Sequence, residues 1–147
     1  MRATMVISGI AASLLAAGAA AKTPMSFSGE NAAPLSPQGR ANVAVQAGPV
    51  EFGEVLIQDM PTATDPRRDP KPVALVSNRG DAVARFTITI SLEDDQGNVL
   101  AKGVRSAKLD EDTSNETFSV SLSGHLKAGE WEKVTTVRLA VSVNIKV

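Results

Sequence analysis

The chain has no cysteine and no tyrosine, a single histidine, and only four phenylalanines and one tryptophan in 147 residues. The missing thiols exclude cysteine nucleophiles, iron–sulfur clusters and cysteine-based zinc sites, and they leave stability to the core alone. The lone His125, with no second His or Cys near it, makes a poor metal ligand, and it reads as a surface imidazole. Without tyrosine there is no tyrosine corner of the antibody type. The scarcity of aromatics also handicaps any sugar-stacking surface. The formal net charge is −1, which provides no electrostatic footprint for nucleic acid or for an anionic membrane. Catalysis needs a nucleophile–base pair, placed carboxylates or a metal. Ser–His chemistry here depends on His125 meeting a serine from within a turn. The expectation is a protein that is not an enzyme, with no catalytic residue, no cofactor and no metal ligand assigned.

What is there begins with MRATMVISGIAASLLAAGAAA. Arg2 and the amino terminus give a positive start, Val6 to Ala20 is apolar but short for a bilayer, and Ala19-Ala20-Ala21 satisfies the small-residue cleavage rule. Residues 1–21 read as a secretory signal peptide rather than a membrane anchor. No cysteine follows to carry a lipid. The expected location is periplasmic or secreted, with no stable membrane insertion once the leader is gone. The next stretch, Lys22 to Arg40, holds three prolines and two glycines with no period, and it reads as a flexible arm over residues 22–40.

Residues 41–147 form the expected domain, with a length suited to one core. Its best-specified stretch is Val83 to Arg105. Phe86, Ile88, Ile90 and Leu92 fall on one side, and Arg85, Thr87, Thr89 and Ser91 fall on the other. A period of two marks a strand with one buried and one wet face. Glu93 to Asn98 then supplies turn chemistry, with Gly97 free to take positive φ, and Val99-Leu100 resumes the strand. Upstream, NVAVQA (residues 42–47) alternates weakly. Val50 to Met60 follows, with Val50, Phe52, Val55 and Ile57 as core candidates and Gly53 at a slip that suggests a bulge. The proline-rich stretch Pro61 to Pro72 is expected to be a connection. Val73 to Ser77 reads as an interior strand.

Downstream, Ser106 to Ser114 is charged and reads as a loop. Its Asp110-Glu111-Asp112 run matches no calcium-loop spacing. Glu116 to Ser123 alternates, with Phe118, Val120 and Leu122 inward. Trp131 is expected over one end of the core with its N–H near water. The last run, VTTVRLAVSVNIKV, points Val137, Leu139, Val141, Val143, Ile145 and Val147 one way and Arg138, Ser142, Asn144 and Lys146 the other. At ~3.3 Å per residue it reaches roughly 46 Å, long enough to bend or to run past the domain body. No segment carries a capped 3.6-residue period, so no helix is expected. The expected fold is all-β: an antiparallel, immunoglobulin-like β-sandwich of about seven strands.

Four pieces of the chain also form a familiar succession. They are Ser77-Asn78-Arg79-Gly80-Asp81, the alternating Phe86 to Leu92, the turn and strand Asp94-Asp95-Gln96-Gly97-Asn98-Val99-Leu100, and Phe118-Ser119-Val120-Ser121-Leu122. The stretch from Leu75 to Leu122 resembles the bacterial immunoglobulin-like modules called FxLYD or CARDB-like domains. It departs from them at Glu93, where those modules carry their tyrosine. The resemblance implies a sandwich fold and an interaction role outside the cytoplasm, and no chemistry.

The functional expectation is an exported module that binds another protein through a sheet edge or face, the long last strand being the candidate edge. The residues singled out for the partner are Thr87, Thr89, Ser91, Arg138, Ser142, Asn144 and Lys146. The alternatives are self-association as a subunit of a cell-surface fibre or layer, with the 22–40 arm exchanged between copies, and a small-ligand or glycan binder using Thr87, Thr89, Ser91, Thr117, Ser119 and Ser121 as one polar platform. The tripeptide Arg79-Gly80-Asp81 reads as turn chemistry and not as an adhesion motif.

Overall fold

A computed structural model of the chain describes residues 4–8, 25–60, 64–65, 68, 70–123, 126 and 128–146. Two antiparallel sheets pack face to face, as the alternating runs require. The first sheet holds β1 (Thr4–Ser8), β2 (Met25–Pro34), β11 (Thr136–Ile145), β7 (Ala84–Glu93), β8 (Val99–Leu109) and β10 (Leu122–Ser123), in that spatial order. The second holds β3 (Arg40–Ala41), β5 (Val50–Gln58), β6 (Lys71–Asn78) and β9 (Thr113–Ser119), with β4 (Val45–Ala47) also pairing with β5. One four-residue helix, α1 (Ala128–Trp131), precedes β11.

The core is made by the residues whose alternation predicts it. Ile88, Ile90, Leu92, Val137 and Val143 are fully buried between the sheets, as are Val50 and Val55 from the opposite sheet. Each such side chain contributes ~1.5–3 kcal/mol through the area it removes from water. The few aromatics are concentrated here. Phe86 meets Phe52 edge-on at 5.7 Å and Phe118 edge-on at 5.0 Å, so one ring of the first sheet is held between two of the second. The slip expected at Gly53 is present: the β5–β6 register shifts between Phe52 and Val55. The β7–β8 hairpin closes with Asp94 N–H donating to Asn98 O at 3.0 Å and with Gly97 at φ 83°.

Several expectations are corrected. The 22–40 arm is not a flexible lead-in where it is described: Met25–Pro34 is a ten-residue strand paired along its length with β11. Its alternation is hard to see because the inward positions after Phe27 are Gly29, Asn31 and Ala33, which are small or polar. The last strand does not run past the body. It lies between β2 and β7 with ten paired positions on each side, which makes it a central strand and not an edge. Strand β8 continues to Leu109, so only Asp110 to Asp112 remains as the turn of the expected 106–114 loop. The alternating run at 116–123 is split: β9 belongs to the second sheet, β10 to the first, and buried Val120 marks the crossing. Trp131 is buried, its Nε1 included, so its N–H does not reach the protein surface.

Residues 4–8, inside the expected signal peptide, pair with β2 over five positions, from Thr4 opposite Glu30 to Ser8 opposite Ser26. The expected cleavage point at Ala21 and the single His125 lie outside the described residues.

Candidate functional site

A strand of period two shows one face to the core, and register then decides which outward residues become neighbours. On the first sheet the registers of β2, β11, β7 and β8 align the outward residues into rows. Ser26, Asn144, Arg85 and Lys108 form one row, and Ser28, Ser142, Thr87 and Ser106 the next. Glu30, Ala140, Thr89 and Val104 follow, and then Ala32, Arg138, Ser91 and Lys102. The result is a face four strands wide, built mostly from short side chains.

Of the residues anticipated for a partner, Thr87, Thr89, Arg138, Ser142 and Asn144 lie together on this face. Ser91 shares it but is buried, set between the long side chains of Arg138 and Lys102, so it is withdrawn from the contact surface. Lys146 lies one residue beyond the end of β11 and is exposed. The polar platform expected for a glycan does not exist as one surface. Thr87 and Thr89 are on β7, whereas Thr117 and Ser119 are on β9 of the other sheet.

Charge is organised at one end of the face. Arg138 Nε donates to Glu93 Oε2 at 2.8 Å, and its Nη1 lies 3.5 Å from Glu30 Oε1. The hydrogen bond that Arg138 donates to Glu93 raises the guanidinium above its ordinary value, with burial opposing and Glu30 adding a smaller raising effect. At the other end, Arg85 and Lys108 are direct cross-strand neighbours. They line an open depression of about 390 Å3 together with Phe86, Thr87, Ser106, Ala107 and Asn144. Hydroxyls on the face are partly satisfied among themselves: Thr87 Oγ1 and Ser106 Oγ are 2.9 Å apart, and Ser26 Oγ donates to Asn144 Oδ1 at 2.7 Å.

Ser26, Ser28 and Glu30 are members of this face that the sequence did not point to, because their strand was hidden in the supposed arm. Arg85 was visible as an outward residue, whereas Lys108 fell in the expected 106–114 loop. Their adjacency needs the β7–β8 register.

Among the described residues no group of three or more His, Cys, Asp or Glu side chains is arranged to hold a metal ion. Arg79 of the Arg-Gly-Asp turn is paired with Glu51 at 3.2 Å, and Gly80 N–H donates to Asn78 Oδ1, which is turn chemistry. No described helix is long and apolar enough to cross a membrane. A search of protein-family models and of curated proteins found no match.

Proposed function

We propose that the protein is an exported, non-catalytic β-sandwich module that binds another protein through the first sheet, by its outer face or by an edge. The observation that carries the reading is the composition of the outer face. Four strands present Ser28, Ser142, Thr87, Ser106, Ala140 and Thr89 as a low surface with an ion-pair cluster at one end and two cations at the other. Short side chains lose little rotamer entropy on contact, and flanking charges give a partner its orientation. The resemblance to FxLYD or CARDB-like modules and the secretory character of residues 1–21 support the same reading and its periplasmic or extracellular setting.

The test is crosslinked capture from an envelope extract with the unchanged protein and with Thr89→Arg and Ser142→Arg. Both positions lie on the face and outside the core, so folding is expected to survive. Loss of a captured partner by about tenfold or more in both variants supports the reading, since an arginine projecting from a packed contact costs several kcal/mol. Capture of the same partners at unchanged yield refutes the face as the site.

A second reading, self-assembly, is favoured by one observation. The N-terminal strand β2 and the last strand β11 pair over ten positions, so an exchanged β2 would link copies with no new kind of contact. Light scattering over a concentration series decides it: a monomer throughout removes it.

A further inference from the structure

Exposed strand edges invite pairing with other chains, and folded proteins block them with charges, prolines, bulges or covering segments. Most edges of this sandwich are blocked in one of these ways. On β9, Asn115 adopts φ 54° and donates its N–H to Ser77 Oγ, and the Arg105 guanidinium captures Ser119 O at 2.8 Å while lying 5.3 Å from the Phe118 ring centroid. On β8, beyond the two residues paired with β10, the edge carries Arg105 and Lys108. Strands β3 and β4 are two and three residues long.

Strand β2 is different along its length. Its second half is closed: Asn31 Nδ2 donates to Ala44 O at 3.0 Å, Asn31 Oδ1 takes the Ala32 N–H at 2.9 Å, and Pro34 has no N–H to offer. Its first half, Ser26 to Glu30, has no proline, no lysine and no bulge, and its ladder to β11 is unbroken. What covers it is β1, residues 4–8, in five-position register. That cover lies inside the segment whose composition marks it for removal.

We propose that removal of residues 1–21 uncovers the Ser26–Glu30 edge, and that the exported protein receives there an extended strand from a partner protein. This rests on the reading of the chain as an exported protein-binding module, and it names the partner's chemistry. Opposed residues in an antiparallel pair lie on the same side of the sheet. Thr4–Ser8 shows a sequence the edge accepts: Met5 falls opposite Gly29 and Ile7 opposite Phe27, with Thr4 and Ser8 opposite Glu30 and Ser26. The incoming strand therefore carries apolar residues two apart, at the positions facing Gly29 and Phe27, and small polar residues at its ends. A second copy fits less well. Symmetric pairing of the same five residues puts Gly29 opposite Phe27, so the added strand brings that ring no apolar side chain beside the Val143 it already has on β11.

The experiment uses the product recovered after export. Mass spectrometry reads its first residue, and amide hydrogen exchange follows Ser26 to Glu30 with and without a synthetic peptide of residues 1–10. The expected result is a product beginning after Ala21, with β2 amides on the side away from β11 exchanging about tenfold more slowly when the peptide is added. The same peptide with Ile7→Lys is expected to give no protection. The proposal is overturned by a product that keeps residues 1–21, or by exchange unchanged at millimolar peptide. Protection that grows with protein concentration and no peptide also overturns it, because a second copy then fills the edge. Failure of the module reading looks different: the peptide protects β2, yet no protein is captured. Partner capture that Thr89→Arg abolishes while the peptide gives no protection leaves the module reading standing and removes this one.

Discussion

Glu93 and Arg138 form the shortest ion pair among the described residues, 2.8 Å from Arg138 Nε to Glu93 Oε2, and they are unequally buried, with Glu93 at 9% side-chain exposure and Arg138 at 41%. The inequality sets which loss is worse. Removing Glu93 leaves a guanidinium that water can reach and that still has Glu30 at 3.5 Å. Removing Arg138 leaves a largely buried carboxylate without its donor. Truncating one partner of a buried pair costs ~3–5 kcal/mol, and an exposed partner loses far less. Arg138→Ala is therefore expected to cost about 3 kcal/mol and Glu93→Ala about 1 kcal/mol, read as urea midpoints with unchanged slopes. Equal costs, or the reverse order, contradict the assignment.

Asn78 ties the two sheets at one corner. It is 1% exposed, and its Nδ2 faces three carbonyls: Ala82 O at 2.9 Å, Leu109 O at 3.2 Å and Asp110 O at 3.2 Å. Its Oδ1 accepts the Gly80 N–H at 3.0 Å. Asn78→Ala strands these groups and is expected to cost about 2–3 kcal/mol. Asn78→Asp keeps the shape but turns an acceptor toward three acceptors, so it is expected to be worse than alanine. Equilibrium unfolding of both variants at pH 7 checks the order. An aspartate variant as stable as the alanine one would mean that the corner is open to water.

At Gly103 the constraint is space rather than backbone angle. A Cβ there would meet Ser121 O at 2.5 Å and Val120 Cγ1 at 2.8 Å. Gly103 pairs with Leu122 where β10 rejoins the first sheet, and the obstacle is partly backbone. Gly103→Ala is expected to destabilise by about 1–3 kcal/mol and to loosen the β8–β10 contact first. Gly53→Ala is the control, because nothing lies within 4 Å of a Cβ there. If the two variants melt together, Gly103 is not a close-approach position.

What the sequence made legible follows from side-chain size. Phe86 to Leu92 and Val137 to Ile145 alternate large apolar residues with polar ones, so strand, inner face and outer face could all be named. The slip at Gly53 gave the bulge. Strand β2 escaped because burial there falls on Gly29, Asn31 and Ala33, which hydropathy does not mark. Period two also names a face without naming a sheet. Thr87 and Thr117 look equivalent along the chain and lie in different sheets, since the turn at 110–112 carries the chain from β8 of the first sheet to β9 of the second. For the same reason the outer face could be half assembled beforehand. Thr87, Thr89, Ser142 and Asn144 belong to two well-patterned strands, but Ser26 and Ser28 join them only through a register between residues more than a hundred positions apart.

Asp94 gives the hairpin its pH dependence. Its carboxylate accepts from Asn98 Nδ2 at 3.1 Å, Asn98 N–H at 2.8 Å and Gln96 N–H at 2.9 Å. These bonds, the Asn98 side chain first, favour the ionised form and hold Asp94 below its ordinary value of 3.8. A carboxylate whose folded pKa lies below its unfolded one adds stability that is whole above the unfolded value. That stability is lost as pH falls through the folded value. The affected window is therefore below pH 3.8, and neutral stability of the turn does not change with small shifts around pH 7. In an NMR titration the Gln96 and Asn98 amides are expected to move together with a midpoint under 3.8, and Asp94→Asn is expected to abolish that movement. A midpoint at or above that value would show that the turn does not hold the carboxylate in its charged form.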